Sequence, residues 1–364
     1  MPGERSPGRP AIECSATAIE PRPGPCSARH RTVGGVKPGG WWWPLLVPAA
    51  IAFLALLLSA CGGPSTPVAG EDGTRTVRVA TLRQPHLFHP DFYERFLPED
   101  VRVEVIPFSD STEIKNAVVT GSADFGVTGI TSPLQGAVQG QPFVVVASAA
   151  DGGSAVVARE ASDVEDVAGL RGKRIGYVPG SAQDILLRLT LRQAGLDPEG
   201  DVELVNIGFS DMADALAGGE IDAFSGAEIG PSNALVAGRA EVVTYPYDTP
   251  VRKINIVLGT SRALVEDDPQ LVETMVQAHA QAADYMANNT EEWADAVSEK
   301  YGFDPESVKL AVDNIDLRWR MDEDYVRQAR VLGEQLEAEA QLRSQPDYEK
   351  FFDLSFVERV ASRP

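Results

Sequence analysis

NAVVTGSADFGVTG at residues 116–129 and DALAGGEIDAFSGAE at residues 214–228 are the two stretches that decide how this chain folds. Each reads as a helix end, a glycine turn, an aspartate and a short strand that stops at small residues. One such unit is common wherever a helix feeds a strand, but two in one chain point to a pair of similar α/β lobes. In open sheets of this kind ligands sit outside the carboxyl ends of the strands. The segments Thr128–Thr131 and Gly226–Glu228 are therefore expected to face one another across a cleft.

Outward from these units the chain alternates short apolar strands with amphipathic helices. Strands are predicted at 77–82, 101–107, 125–127, 143–147 and 155–158, with helices around 90–96 and 112–120 and one opening at Ser132-Pro133. The pattern restarts beyond Glu160: strands at 174–178, 202–206, 221–225 and 242–244 alternate with helices at 164–170, 183–194 and 210–217. The strand 254–259 reads as a return into the first lobe, and 269–342 as helical. This predicts an α/β fold of two lobes, each a mostly parallel sheet with flanking helices. Residues 76–159 and 252–364 form lobe I, and residues 160–251 form lobe II.

The amino-terminal 60 residues read as an address rather than as fold. Residues 1–40 are rich in Pro, Gly, Ser and Arg without a hydrophobic period. An apolar stretch then runs from Trp41 to Ala60 behind Arg29, Arg31 and Lys37, the order of an export signal. It closes on Leu58-Ser59-Ala60-Cys61, which resembles the lipobox of bacterial lipoproteins, where the cysteine becomes lipidated. An uncleaved transmembrane anchor is the alternative, since about 20 apolar residues span a bilayer. Cysteine usage favours lipidation: Cys14, Cys26 and Cys61 are the only cysteines. Residues 61–75 then form a flexible tether. The expected location is the extracytoplasmic face of the cell membrane.

Composition removes several functions. A formal charge of −21 disfavours nucleic acid as a partner. No cysteine follows residue 61, which excludes disulfide staples, iron–sulfur sites and a thiolate nucleophile from the folded part. His86 and His89 lie three apart, but without a convincing third ligand no metal site is expected. The sequence has no Gly-x-Ser-x-Gly elbow, phosphate loop or zinc-protease motif, so no catalytic residue and no cofactor is expected.

The phrases Thr120-Gly121-Ser122-Ala123-Asp124-Phe125-Gly126-Val127-Thr128-Gly129, Val167-Ala168-Gly169-Leu170-Arg171-Gly172-Lys173-Arg174-Ile175-Gly176 and Gly218-Gly219-Glu220-Ile221-Asp222-Ala223 resemble the periplasmic binding proteins of the aliphatic sulfonate, nitrate, taurine and thiamine-precursor group. The resemblance runs from about Arg75 to Phe356. It implies a type II periplasmic-binding-protein fold with two crossover strands. It also implies a monomeric, non-enzymatic solute carrier that closes on a small molecule and serves the permease and ATPase of an ABC importer. A sulfonate-, nitrate- or taurine-like solute is the first expectation and a thiamine-precursor pyrimidine or other amine-bearing solute the second. A membrane sensor, or a pyrimidine-precursor synthase-like enzyme of the same fold, is the rival. The chain departs from the family at Gly226-Ala227-Glu228-Ile229-Gly230-Pro231, where an aromatic or Trp-acid-Pro phrase is frequent.

Candidate ligand-binding residues come from strand ends. Thr128, Gly129, Ile130 and Thr131 offer backbone N–H groups at a strand-to-helix turn. Gly180, Ser181 and Ala182 do the same in lobe II, although Ser181 with Asp184 also fits a helix cap. Arg83, Gln84 and His86 stand on the first loop, where an arginine suits an anionic head group. Glu228 could pair an amine or accept from a pyrimidine-like N–H. Hence an anionic solute predicts a larger loss from Arg83→Ala than from Glu228→Ala, and an amine the reverse. Trp293 and Trp319 read as packing residues, and Glu266-Asp267-Asp268-Pro269 as a solvated helix start.

Overall fold

The computed structural model describes residues 73–160 and 162–363. The chain divides at Cys61–Gly62 into two units, and the second holds all of the described residues. The export segment, the lipidation site Cys61 and nearly all of the tether lie outside the described residues.

The strands are β1 (Arg75–Leu82), β2 (Val101–Phe108), β3 (Phe125–Gly129), β4 (Phe143–Gly152), β5 (Ser154–Arg159), β6 (Arg174–Tyr177), β7 (Glu203–Asn206), β8 (Ala223–Ala227), β9 (Ala240–Thr244), β10 (Ile254–Ser261) and β11 (Ile315–Leu317). They form a six-stranded sheet in the order β11-β4-β10-β3-β1-β2 and a five-stranded sheet in the order β7-β6-β8-β5-β9. With their helices these are lobes I and II. Both sheets are mixed rather than mostly parallel. β1 runs parallel to β2 and β3, and β6 to β7 and β8. The crossover strands reverse the sense: β10 is antiparallel to β3 and β4, and β5 is antiparallel to β8 and β9. A strand that arrives from the other lobe enters its sheet from the opposite end, which local patterning does not reveal.

β4 is a ten-residue run, FVVVASAADG, buried along its whole length, as expected of a strand covered on both faces. It ends at Gly152 and β5 begins at Ser154, so the first crossing is the Gly152-Gly153 pair, earlier than residue 160. Both glycines have positive φ, 77° and 68°, a region that disfavours side chains. The second crossing is the segment between β9 and β10.

The two echoed stretches fold alike. The helix Ser111–Thr120 ends on Gly121 at φ 76°, and the helix Met212–Gly218 on Gly219 at φ 77°, each the left-handed cap that glycine provides. In lobe I the Asp124 carboxylate accepts from the Arg78 backbone N–H (2.8 Å) and from its Nη2 (2.9 Å), while Nη2 also donates to the Gly121 carbonyl at 2.9 Å. In lobe II Asp222 accepts from the Arg174 N–H (3.1 Å) and Nη2 (2.9 Å), and Nη2 donates to the Gly219 carbonyl at 2.9 Å. The two arginines occupy corresponding strands, β1 and β6. The repeated aspartate therefore ties the turn after each helix to the strand that pairs in parallel with the one that follows it, β1 beside β3 and β6 beside β8.

The first core fills both faces of the six-stranded sheet, and it continues into lobe II through Ile185, Leu186 and Ile229. Lobe II has a smaller cluster on each face of its sheet, around Phe224 and Met212 on one side and Leu187 and Ile175 on the other. Trp293 and Trp319 are buried packing residues; Trp293 Nε1 donates to the Pro85 carbonyl at 3.2 Å. The span 269–342 is helical as expected, through Pro269–Asn288, Thr290–Tyr301, Pro305–Asp313 and Glu323–Ala338. The short strand β11 interrupts it, pairing antiparallel with β4 at the sheet edge. The chain around His86 and Pro90 is 3-10 helix, at Pro85–Leu87 and His89–Arg95. Among the described residues no helix is long and apolar enough to cross a membrane.

Candidate functional site

A cleft of about 440 Å³ opens between the lobes at the carboxyl ends of β1, β2, β7 and β8. Lobe I contributes Leu82, Arg83 and Gln84 from the end of β1, Phe108 and Ser109 from the end of β2, and Phe303 from the turn between the helices Thr290–Tyr301 and Pro305–Asp313. Lobe II contributes Gly208, Phe209 and Ser210 after β7, Ala213, Ala227 at the end of β8, and Ile229, Gly230 and Asn233 around the start of the helix Gly230–Val236. Phe108, Phe209 and Phe303 are each half-buried. The lining is thus apolar with a few polar groups: one guanidinium, two amides and two hydroxyls. This is the usual make-up of a small-molecule site.

Arg83 is held at the rim. Its Nη2 donates to the Tyr301 carbonyl at 3.2 Å, and the guanidinium lies 5.5 Å from the Tyr301 ring centre. Tyr301 in turn packs edge-on against Phe88 and Phe303. The Arg83 guanidinium makes no other hydrogen bond among the described residues. Among the described residues the Gln84 and Asn233 amides make no side-chain hydrogen bond. Both Arg83 and Gln84 were legible as candidates from the sequence.

The other candidates lie outside that lining, several with their polar groups engaged by the protein. Thr128 is buried and its hydroxyl donates to the Ser111 carbonyl at 3.4 Å; the Gly129 N–H donates to Ser111 Oγ at 3.2 Å. The Ile130 N–H donates to the Asn255 carbonyl at 2.9 Å, and Thr131 is the buried first residue of the helix Thr131–Val138. Gly180 donates its N–H to Asp184 Oδ2 at 3.0 Å, and Ser181 caps the helix Ala182–Gln193 by accepting from the Asp184 N–H at 3.1 Å. Ala182 is buried in that first turn. This segment meets lobe I: Gln341 Nε2 donates to Asp184 Oδ2 at 2.6 Å, and Glu339 receives Arg192 and, at 3.5 Å, Arg188. The turn that sequence assigns to a ligand is part of a polar seam between the lobes.

Glu228 and His86 sit at the crossings. The Glu228 N–H donates to the Gly153 carbonyl at 2.9 Å, and its carboxylate accepts from Ser232 Oγ (2.8 Å) and from Asn314 Nδ2 (3.1 Å). Asn314 Oδ1 accepts from the Tyr247 hydroxyl at 3.0 Å, a hydroxyl that also accepts from the Ser154 N–H at 2.8 Å. Burial pushes the Glu228 carboxyl up from its ordinary value, against the hydrogen bonds from Asn314 and Ser232. Asn255 Nδ2 donates to the Gly152 carbonyl at 2.7 Å. Glu228, just beyond β8, and Asn255, whose carbonyl accepts from the Ile130 N–H just beyond β3, thus both meet carbonyls of the Gly152-Gly153 crossing, while of the two segments expected to face each other only Ala227 lines the cleft. His86 is buried with its ring beside Gly153, and burial holds its pKa down at about 3.

What sequence reasoning missed is the aromatic lining. One signal carries it: Phe-Ser-Asp occurs at 108–110 and again at 209–211, each time between an edge strand and the helix that leads to the echoed glycine turn.

A family model described as NMT1/THI5 like matches residues 93–293, more than half of the chain. A binding protein of Brucella abortus (strain 2308) is 26% identical over 220 residues, which is 60% of this chain and 66% of that protein. The match thus spans just under two thirds of the length of such curated relatives. Among solved structures, the alkanesulfonate-binding protein SsuA from Xanthomonas axonopodis pv. citri bound to MOPS superposes with a TM-score of 0.67 at 17% identity, covering 79% of this chain and 99% of that one. The desulfurization enzyme DSZB superposes at 0.62 and 17% identity, again over 79% and 99%. At these identities the two structures establish the fold, which serves both a carrier and an enzyme.

Proposed function

Because this chain belongs to the NMT1/THI5-like family, we propose that it is a solute-binding protein that captures a small organic anion between its lobes and presents it to the permease and ATPase of an importer. The observation that carries this reading is the cleft lined from both lobes at the carboxyl ends of the strands. A ligand that touches both jaws favours the closed form by its differential contacts, and the closed form is the signal. The two positive-φ glycines at the first crossing supply a pivot.

A carrier is favoured over an enzyme by the chemistry of the lining. A guanidinium, amides and hydroxyls bind and orient a solute; a general base would call for an imidazole or carboxylate within reach. The solute is read as an anion because Arg83 is the lining's one charged side chain among the described residues. Export with a lipid at Cys61 fits this role, holding a monomeric carrier at the extracytoplasmic face beside its permease. Neighbouring genes for a permease and an ATPase would favour import over a sensor.

The test is isothermal titration of the full chain with organic sulfonates. Arg83→Ala is expected to weaken an anionic ligand about tenfold, the lower end for a charge-assisted bond at an exposed arginine. Unchanged affinity in that variant would remove the anion from the reading.

A further inference from the structure

The repeated Phe-Ser-Asp turn gives the cleft a two-fold character, with Ser109 and Ser210 lining it from opposite jaws beside the two phenylalanines. Phe108-Ser109-Asp110 leads from β2, at the edge of the six-stranded sheet, into the helix Ser111–Thr120; Phe209-Ser210-Asp211 leads from β7, at the edge of the five-stranded sheet, into the helix Met212–Gly218. Both phenylalanines line the cleft, one from each jaw. Both aspartates serve their own turn: Asp110 caps its helix by accepting from the Thr112 N–H at 2.7 Å, and Asp211 Oδ1 accepts from Ser210 Oγ at 3.1 Å. Among the described residues the two rings stack neither on each other nor on a third ring. They are apolar surfaces facing a space that a bare oxyanion would leave wet.

We infer that Phe108 and Phe209 are the specificity-determining pair, and that the solute is an organic anion with a flat or bulky apolar body, held between the two rings with its head toward Arg83. This rests on the reading of the cleft as the solute site and narrows it: nitrate, methanesulfonate and taurine carry no flat or bulky apolar body to set against the two rings. Burying a body the size of a phenyl ring is worth roughly 10- to 100-fold in affinity. Aromatic pairing adds a geometric preference for a flat ring.

The experiment titrates the full chain, in detergent micelles, with benzenesulfonate, methanesulfonate, nitrate and benzyl alcohol. Benzenesulfonate is expected to bind at least tenfold more tightly than methanesulfonate. Phe209→Ala and Phe108→Ala are each expected to shrink that difference to under threefold, with the loss falling mainly on benzenesulfonate. Phe209→Leu, which keeps apolar volume in the lobe II core, is expected to lose affinity for benzenesulfonate less than Phe209→Ala, so that a folding defect is told apart from a lost contact. Methanesulfonate or nitrate binding as tightly as benzenesulfonate overturns the apolar body and leaves the cleft standing. Benzenesulfonate binding that ignores both phenylalanines and Arg83 moves the site out of the cleft and overturns the proposed location as well. No binding by any of the four probes overturns the ligand class.

Discussion

Taking the protein from pH 6 to pH 5 is expected to lower its folding stability by about 3 kcal/mol, measured by urea unfolding at each pH. The cause is three buried imidazoles in lobe I. His86 and His279 are held by burial at about 3 and about 4, and His89 well below its usual value by burial first and then by His279 and His86. His279 Nε2 lies 2.7 Å from the Ser148 carbonyl and must donate to it, so Nδ1, 2.7 Å from the Tyr93 hydroxyl, accepts. A second proton on Nδ1 would turn the Tyr93 hydroxyl from donor to acceptor and take away the acceptor of its own proton. His89 is fully buried and packs against the His279 ring at 4.7 Å.

The folded-state pKa values lie below the unfolded value of about 6.5, so the unfolded chain binds protons first. The stability is fully present above pH 6.5 and is lost as pH falls toward the folded values. Each imidazole contributes about 1.4 kcal/mol per pH unit once well inside that window. Asp91, Asp151 and Glu228, raised by burial, oppose the loss at lower pH. His89→Leu should reduce the slope by about 1 kcal/mol per pH unit. A stability independent of pH between 6.5 and 5 would contradict the burial of these rings.

Glu228→Ala is expected to cost about 2–4 kcal/mol of stability, because it empties a buried site and strands the Ser232 hydroxyl and the Asn314 amide. Glu228→Gln keeps the volume and one acceptor but turns the other oxygen into an NH2 that faces a donor, either Asn314 Nδ2 or Ser232, so its loss should be about 1–2 kcal/mol, smaller than that of Ala. The pair of variants separates the packed volume from the second acceptor. Neither should alter the ligand class, since the carboxylate is spent on Ser232 and Asn314. Chemical denaturation reads both variants, and equal losses from Ala and Gln would contradict a contribution from the packed volume. This replaces the contest between Arg83 and Glu228 that sequence reasoning set up: only Arg83 lines the cleft.

The fold was legible where it depends on local grammar. The glycine caps Gly121 and Gly219 and the cap at Ser181 are short-range devices, and each lies where its residue type puts it, whereas the repeated aspartates Asp124 and Asp222 show in sequence without the arginines that hold them 46 and 48 residues away. Sheet sense was not legible, because β5 and β10 look like any apolar run and their direction is set by crossing between lobes. The candidate site was legible at Arg83 and Gln84 only. The N–H groups at Gly129, Ile130 and Gly180 occupy the strand-to-helix turns that bind anions in many folds. Here Ser111, the Asn255 carbonyl and Asp184 accept from them, partners that are distant in sequence or tied to the lobe seam. The phenylalanines escaped notice because a half-buried aromatic ring has the same signature as core until its neighbours are known.

A crystal of the full chain with 4-bromobenzenesulfonate, imaged by the anomalous signal of bromine, tests most directly whether a solute is held between the lobes. The bromine is expected between Phe108 and Phe209, with the sulfonate within hydrogen-bond reach of Arg83. A bromine on the outer face of either lobe, or in the hollow lined by Gln135, Gln139 and Arg343, would contradict capture in the cleft.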